Sequence, residues 1–209
     1  MNIAILGTGN VGGALGVRFA RAGHSVIFGT RRPTEIEELL KAAGPNARAL
    51  SGADAAQASE IIFLAVPAQA AVMAASALGD LSGKILVDCV NPVRWEQGPV
   101  WNPPAEGSIA AALANALPNA RVVKAFNAFG AEIHANPSVG GAPADVFMAG
   151  EDKEAKNSVS ELAASAGFHA IDAGPLRNAA VLENLAILWI HLATVGGQGR
   201  QAAFRWVKR

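Results

Sequence analysis

The sequence predicts an α/β protein: a doubly wound, mostly parallel sheet with helices on its faces and a carboxyl-terminal helical segment. Three observations carry that expectation. Short runs of β-branched residues alternate with longer Ala-rich stretches, the first run feeds directly into a glycine-rich turn, and several Ala-rich stretches close on glycine. A closing glycine suits the left-handed conformation that ends many helices. In chain order, strands are expected over residues 2–6, 25–28, 61–65, 85–88, 121–124, 146–149 and 169–172. Helices are expected over 11–22 before Gly23, 33–43 before Gly44, 68–78 before Gly79, 108–116, and 153–166 before Gly167. The last segment, 178–207, has a helical pattern apart from Gly196, Gly197 and Gly199. Residues 91–107, with Pro92, Pro99, Pro103, Pro104, Trp95 and Trp101, are expected to form one long irregular loop. That loop follows the carboxyl end of a strand, where doubly wound sheets bind ligands. The expected organisation is a domain over 1–175, with 176–209 packing on it and on a second subunit.

Composition narrows the function classes. Seventeen basic residues balance seventeen acidic ones across 209 residues, without the basic footprint of a nucleic-acid binder. The most apolar stretch, 185–195, is interrupted by His191 and is too short for a membrane span, which needs about twenty residues. One cysteine, Cys89, allows no internal disulfide, and the amino terminus lacks the basic and apolar regions of a signal peptide. A cytoplasmic protein without membrane or nucleic-acid partners is expected.

The turn Gly7-Thr8-Gly9-Asn10-Val11-Gly12 lies between the first strand and the first helix, the context that a dinucleotide-binding (Rossmann) turn requires. Gly7 permits the tight turn, Gly9 lets a pyrophosphate approach the backbone, and Gly12 lets helix and strand pack closely. Thr8, Asn10 and Val11 belong to the same phosphate-facing segment. The second strand should end at the adenosine ribose. NAD-specific sites place an acid there, whereas this chain has Thr30, Arg31 and Arg32. A hydroxyl and guanidinium groups suit a 2'-phosphate, so the expected cofactor is NADP(H).

Val66 and Pro67, after the 61–65 strand, are expected to line the adenosine and ribose side. Asn91, Phe126 and Asn127 are candidates for the nicotinamide end, with the Phe126 ring free to stack beside a ring system. Lys124 is a further polar group at that strand end. No metal site is expected, because His24, His134, His169 and His191 lack ligand spacing. No convincing general acid or base appears either. Hydride exchange between two redox cofactors needs mainly close, oriented rings, and the cofactors carry the difficult chemistry.

These residues resemble the NADPH-dependent reductases of the deazaflavin coenzyme F420, and also the oxidoreductase domain of six-transmembrane metalloreductases. The resemblance rests on 7–12, Gly29-Thr30-Arg31, 83–88 with Asn91-Pro92, 122–127, and 172–176 followed by Leu182-Glu183. It implies Thr8, Asn10 and Val11 at the pyrophosphate, Thr30 and Arg31 at the 2'-phosphate, and a homodimer. It also implies hydride transfer between NADPH and a small-molecule redox acceptor. The 124–127 block is closer to the metalloreductase domains, so a flavin, a deazaflavin (F420-like) or a small imine or carbonyl compound all remain open as acceptor. A non-catalytic NADP(H)-sensing dimer is the alternative outside enzymology.

Overall fold

The computed structural model describes residues 1–208. The amino-terminal half runs β1 (Asn2–Leu6), α1 (Asn10–Arg21), β2 (Ser25–Gly29), α2 (Glu37–Ala43), β3 (Ala47–Leu50), α3 (Gly52–Gln57), β4 (Ile61–Leu64), α4 (Ala71–Ser76) and β5 (Ile85–Asp88). It continues with β6 (Val93–Trp95), β7 (Pro99–Trp101), α5 (Ile109–Ala116), β8 (Arg121–Lys124), α6 (Ala131–Ala135), β9 (Ser138–Val139) and β10 (Ala142–Pro143). The chain ends with β11 (Asp145–Gly150), α7 (Lys153–Ser165), β12 (His169–Asp172) and α8 (Ala179–Ala193).

Eight strands form one sheet in the order β12-β11-β8-β5-β4-β1-β2-β3. β1 is flanked by β2 on one side and β4 on the other, both parallel to it. Strand order therefore reverses at β1, which opens a crevice beyond the carboxyl ends of β1 and β4. β11 runs antiparallel to β8 and parallel to β12, so the last two strands reverse direction relative to the other six.

Alternation along the strands builds a core on each face. Ile3, Ile5, Phe28, Phe63 and Val87 point into one apolar cluster with Phe19 of α1. Ala4, Leu6, Ile27, Leu64 and Leu86 point into the other. The fully buried Phe19, Phe28 and Phe63 each contribute about 1.5–3 kcal/mol of apolar transfer free energy.

Several expected elements are corrected. The 33–43 helix begins as a 3-10 turn, Pro33–Glu35, and breaks at Ile36 before α2. The 68–78 helix likewise divides into Ala68–Ala70 and the short α4. Residues 91–107 are not wholly irregular, because β6 and β7 pair as an antiparallel hairpin. β3, α3, α6 and the β9–β10 hairpin were not expected. The final helix stops at Ala193 rather than resuming to 207: Gly196 N–H bonds back to His191 O, and Gly197 and Gly199 take φ 66 and 80. The tail instead runs back over the fold, where Trp189 Nε1 donates to Ala202 O at 2.7 Å and Phe204 meets the core. Arg209, the end of the expected segment, lies outside the described residues. No helix among the described residues is long and apolar enough to cross a membrane.

Candidate cofactor site

β1 delivers the chain into the glycine turn, and backbone space dictates which residues fit there. A Cβ on Gly7, whose φ is +100, would lie 2.2 Å from Ala65 O at the end of β4. On Gly12 it would lie 1.9 Å from Gly7 O. Gly9 differs, for a Cβ there would meet nothing within 4 Å. Its missing side chain leaves open the surface that a phosphate would approach.

α1 starts with Gly9 as its N-cap, without a side-chain cap and without an acid in the first turn. Its first N–H groups therefore have no protein carboxylate or hydroxyl to satisfy them, and the positive end of the helix dipole is uncompensated. Arg18 and Arg21 in the last turn complement the opposite end. A cleft of about 440 Å³ opens at Thr8, Gly9 and Asn10 and continues along the outer side of α1 past Val17.

At the end of β2, Thr30 Oγ1 accepts from Arg32 N–H at 3.1 Å, which fixes the turn. The two arginines then diverge. Arg32 Nη1 pairs with Glu35 at 3.0 Å, whereas Arg31 is exposed and has no ion-pair partner among the described residues. Arg31 is thus the guanidinium available to an incoming phosphate. Val66 is half-buried and Pro67 exposed, next to the glycine turn through the Gly7–Ala65 approach.

The ends of β5 and β8 are joined by two amides. Asn91 Nδ2 donates to Asn127 O at 2.8 Å, and Asn127 Nδ2 donates to Asn91 Oδ1 at 2.8 Å and to Leu182 O at 2.9 Å. Asn127 Oδ1 is buried without a protein partner. The expectation for the Phe126 ring is corrected: it is 1% exposed and packs edge-on against Phe19, Phe63 and Phe168, so it presents no face to a ligand. Its backbone takes φ 57, and its carbonyl faces His134 Nε2 at 3.0 Å. Burial holds His134 neutral, with its pKa lowered to about 4.

Beneath the amides lies a charge cluster that the sequence did not disclose. Lys124 Nζ bonds Asp88 Oδ2 at 2.9 Å, Glu183 Oε1 at 3.1 Å and Val90 O, and all three side chains are fully buried. Glu183 also accepts from Ile109 N–H at 2.9 Å and Trp101 Nε1 at 3.0 Å, tying α8 to α5 and to the β6–β7 hairpin. Burial raises the Asp88 pKa against the opposing pull of Lys124. Burial also pushes the Cys89 thiol up, so it is not a nucleophile. The available signals were Lys124 inside an apolar strand and a lone acid in the apolar 182–193 helix.

Residues 2–92 match the family described as NADP oxidoreductase, coenzyme F420-dependent. The F420-dependent NADP reductase of Methanothermobacter marburgensis is 31% identical over 211 residues, covering 92% of each chain. The chain belongs to this family. The metalloreductase STEAP3 of Rattus norvegicus is 33% identical over 186 residues, but this chain spans only 36% of that protein's length. A solved chain from Arthrobacter sp. fb24, named there as a candidate F420-dependent NADP reductase, superposes with a TM-score of 0.88 at 32% identity over the whole of both chains. The family's fold thus extends through α8 and the tail.

Proposed function

We propose that this family member transfers a hydride between NADPH and a deazaflavin of the coenzyme F420 type. The observation that carries the cofactor half is Arg31, unpaired at the end of β2 where an NAD site would hold an acid. The acceptor half is supported by family membership and by relatives that are F420-dependent NADP reductases over nearly the full chain.

NADPH supplies the hydride when bound. The protein's own work is placement. The first-turn N–H groups of α1 hold the pyrophosphate, Arg31 and Thr30 hold the 2'-phosphate, and the crossed amides of Asn91 and Asn127 keep the β5 and β8 ends in fixed register beside the nicotinamide. The buried Lys124–Asp88–Glu183 cluster keeps that floor rigid.

A second copy is proposed on α8. Its outward residues Val181, Leu185, Leu188 and Leu192 recur at alternating spacings of four and three, the seam of paired helices, and Val195 follows just past the helix end. Val181 is 63% exposed, Leu188 49% and Val195 50%, an apolar stripe that a partner helix would bury.

The deciding experiment titrates the protein with NADPH and NADH by nicotinamide fluorescence, then adds F420 and FMN in separate runs. NADPH-selective binding with oxidation by F420 is expected. Equal binding of NADH overturns the role of Arg31; NADPH binding without F420 turnover overturns the acceptor; oxidation by FMN alone makes the protein a flavin reductase.

A further inference from the structure

We propose that His134 is a positioning residue of the nicotinamide half-site, acting through the Phe126 peptide. The inference rests on the NADP(H) reading above. Phe126 is the one non-glycine residue with positive φ among the described residues. Bulky L side chains rarely adopt that conformation, and where they do the surroundings must enforce it. Its place is telling: Phe126 lies two residues beyond β8, whose carboxyl end borders the nicotinamide side of the sheet.

The left-handed residue sends two successive side chains to different tasks. The Phe126 ring enters the aromatic cluster of Phe19, Phe63 and Phe168. The next side chain, Asn127, reaches Asn91 and Leu182 O instead.

His134 supplies the hydrogen bond that holds this turn. Its Nδ1 lies 2.9 Å from Gly130 O and its Nε2 3.0 Å from Phe126 O. A neutral imidazole donates only once. Gly130 O already accepts from Ile133 N–H and His134 N–H, whereas no backbone N–H outside the regular elements donates to Phe126 O. We assign the proton to Nε2, which then donates to Phe126 O and leaves an unprotonated Nδ1 against Gly130 O, whose own hydrogen bonds come from the two backbone N–H groups. α6, which carries His134, also packs along α1, the phosphate-facing helix. One short helix thus ties the phosphate end of the site to its nicotinamide end.

The test compares His134→Gln, His134→Asn and His134→Leu for binding of NADPH and of 2',5'-ADP, which has the 2'-phosphate and adenine but no nicotinamide. The longer Gln amide reaches the Nε2 position, while the Asn amide reaches only that of Nδ1. Expected are NADPH affinity within about threefold of wild type for Gln, a loss of at least tenfold for Asn and Leu, and 2',5'-ADP affinity unchanged throughout. Packing alone would favour Leu over Gln and would weaken both ligands together, and either pattern overturns the proposal. Where a variant fails to fold, the His134 Nε2–H resonance of the wild type decides. It should be slow to exchange and should shift on adding NADPH but not 2',5'-ADP, and an Nδ1–H tautomer or an unmoved resonance rejects the role. Wild type that binds neither ligand rejects the NADP(H) reading itself, whereas normal wild-type binding with four indistinguishable proteins rejects only His134.

Discussion

Arg31 and Gly9 act through what surrounds them in the fold, and each makes a separable prediction. Because Arg31 has no ion pair to lose, Arg31→Ala should leave stability unchanged and weaken NADPH by about 1.5–3 kcal/mol, the worth of a charged hydrogen bond, with NADH unaffected. Parallel titrations of both nucleotides check it. Gly9 has φ −75 and open space at its Cβ, so Gly9→Val should abolish nucleotide binding while the melting temperature stays within a few degrees. His134 links folding to pH. Its folded pKa is lowered to about 4 by burial, so as pH falls below about 6.5 the unfolded chain takes up the proton first. Its contribution is intact above that range and lost as pH falls towards 4, at about 1.4 kcal/mol per pH unit. Urea unfolding of wild type and His134→Gln between pH 4 and 7 should show the steeper loss in wild type. The close packing at Gly7 and Gly12 was legible because it lies in local backbone geometry at one strand end. The inward turn of the Phe126 ring was not, since it depends on a left-handed residue whose carbonyl meets His134, eight positions away.

At the scale of elements, the Lys124 cluster joins β5, β8 and α8, and Lys124→Met tests it. That substitution leaves two buried carboxyl groups facing one another without their cation, and should cost about 3–5 kcal/mol in denaturant unfolding. A cost under 1 kcal/mol would mean that the acids repack or protonate freely. The long strands and the α1 and α7 helices could be read from apolar periodicity. β3 could not, as Ala47-Arg48-Ala49-Leu50 is short, Ala-rich and only half-buried at an edge. α3 did leave a trace: Ser51 caps it by accepting from Asp54 N–H, and serine followed three residues later by an acid is a helix-start signature. The cluster itself was hidden because its partners are 36 and 59 residues from Lys124, a distance that only the folded sheet closes.

For the whole molecule, the apolar seam on α8 predicts a dimer that one charge should split. Leu188→Glu places a carboxylate at the centre of the stripe, and light scattering should then report half the wild-type mass. An unchanged mass would move the interface elsewhere. The reversal of strand order at β1 was implicit in the glycine turn, because a dinucleotide turn presupposes a central first strand. The antiparallel β11 was not, for nothing local in Val146–Ala149 records the direction of its neighbour. The buried charge cluster also has a temporal meaning. On the ribosome, Asp88 and Lys124 emerge well before Glu183, and domains assemble from the amino end as they are made. Until the last helix is synthesised, an ammonium and a carboxylate stay hydrated at the mouth of an unfinished sheet, with the hairpin tryptophan Trp101 unanchored. Synthesis of α8 is thus the event that dries the site, and nascent chains stalled before residue 179 should remain sensitive to protease within 89–107.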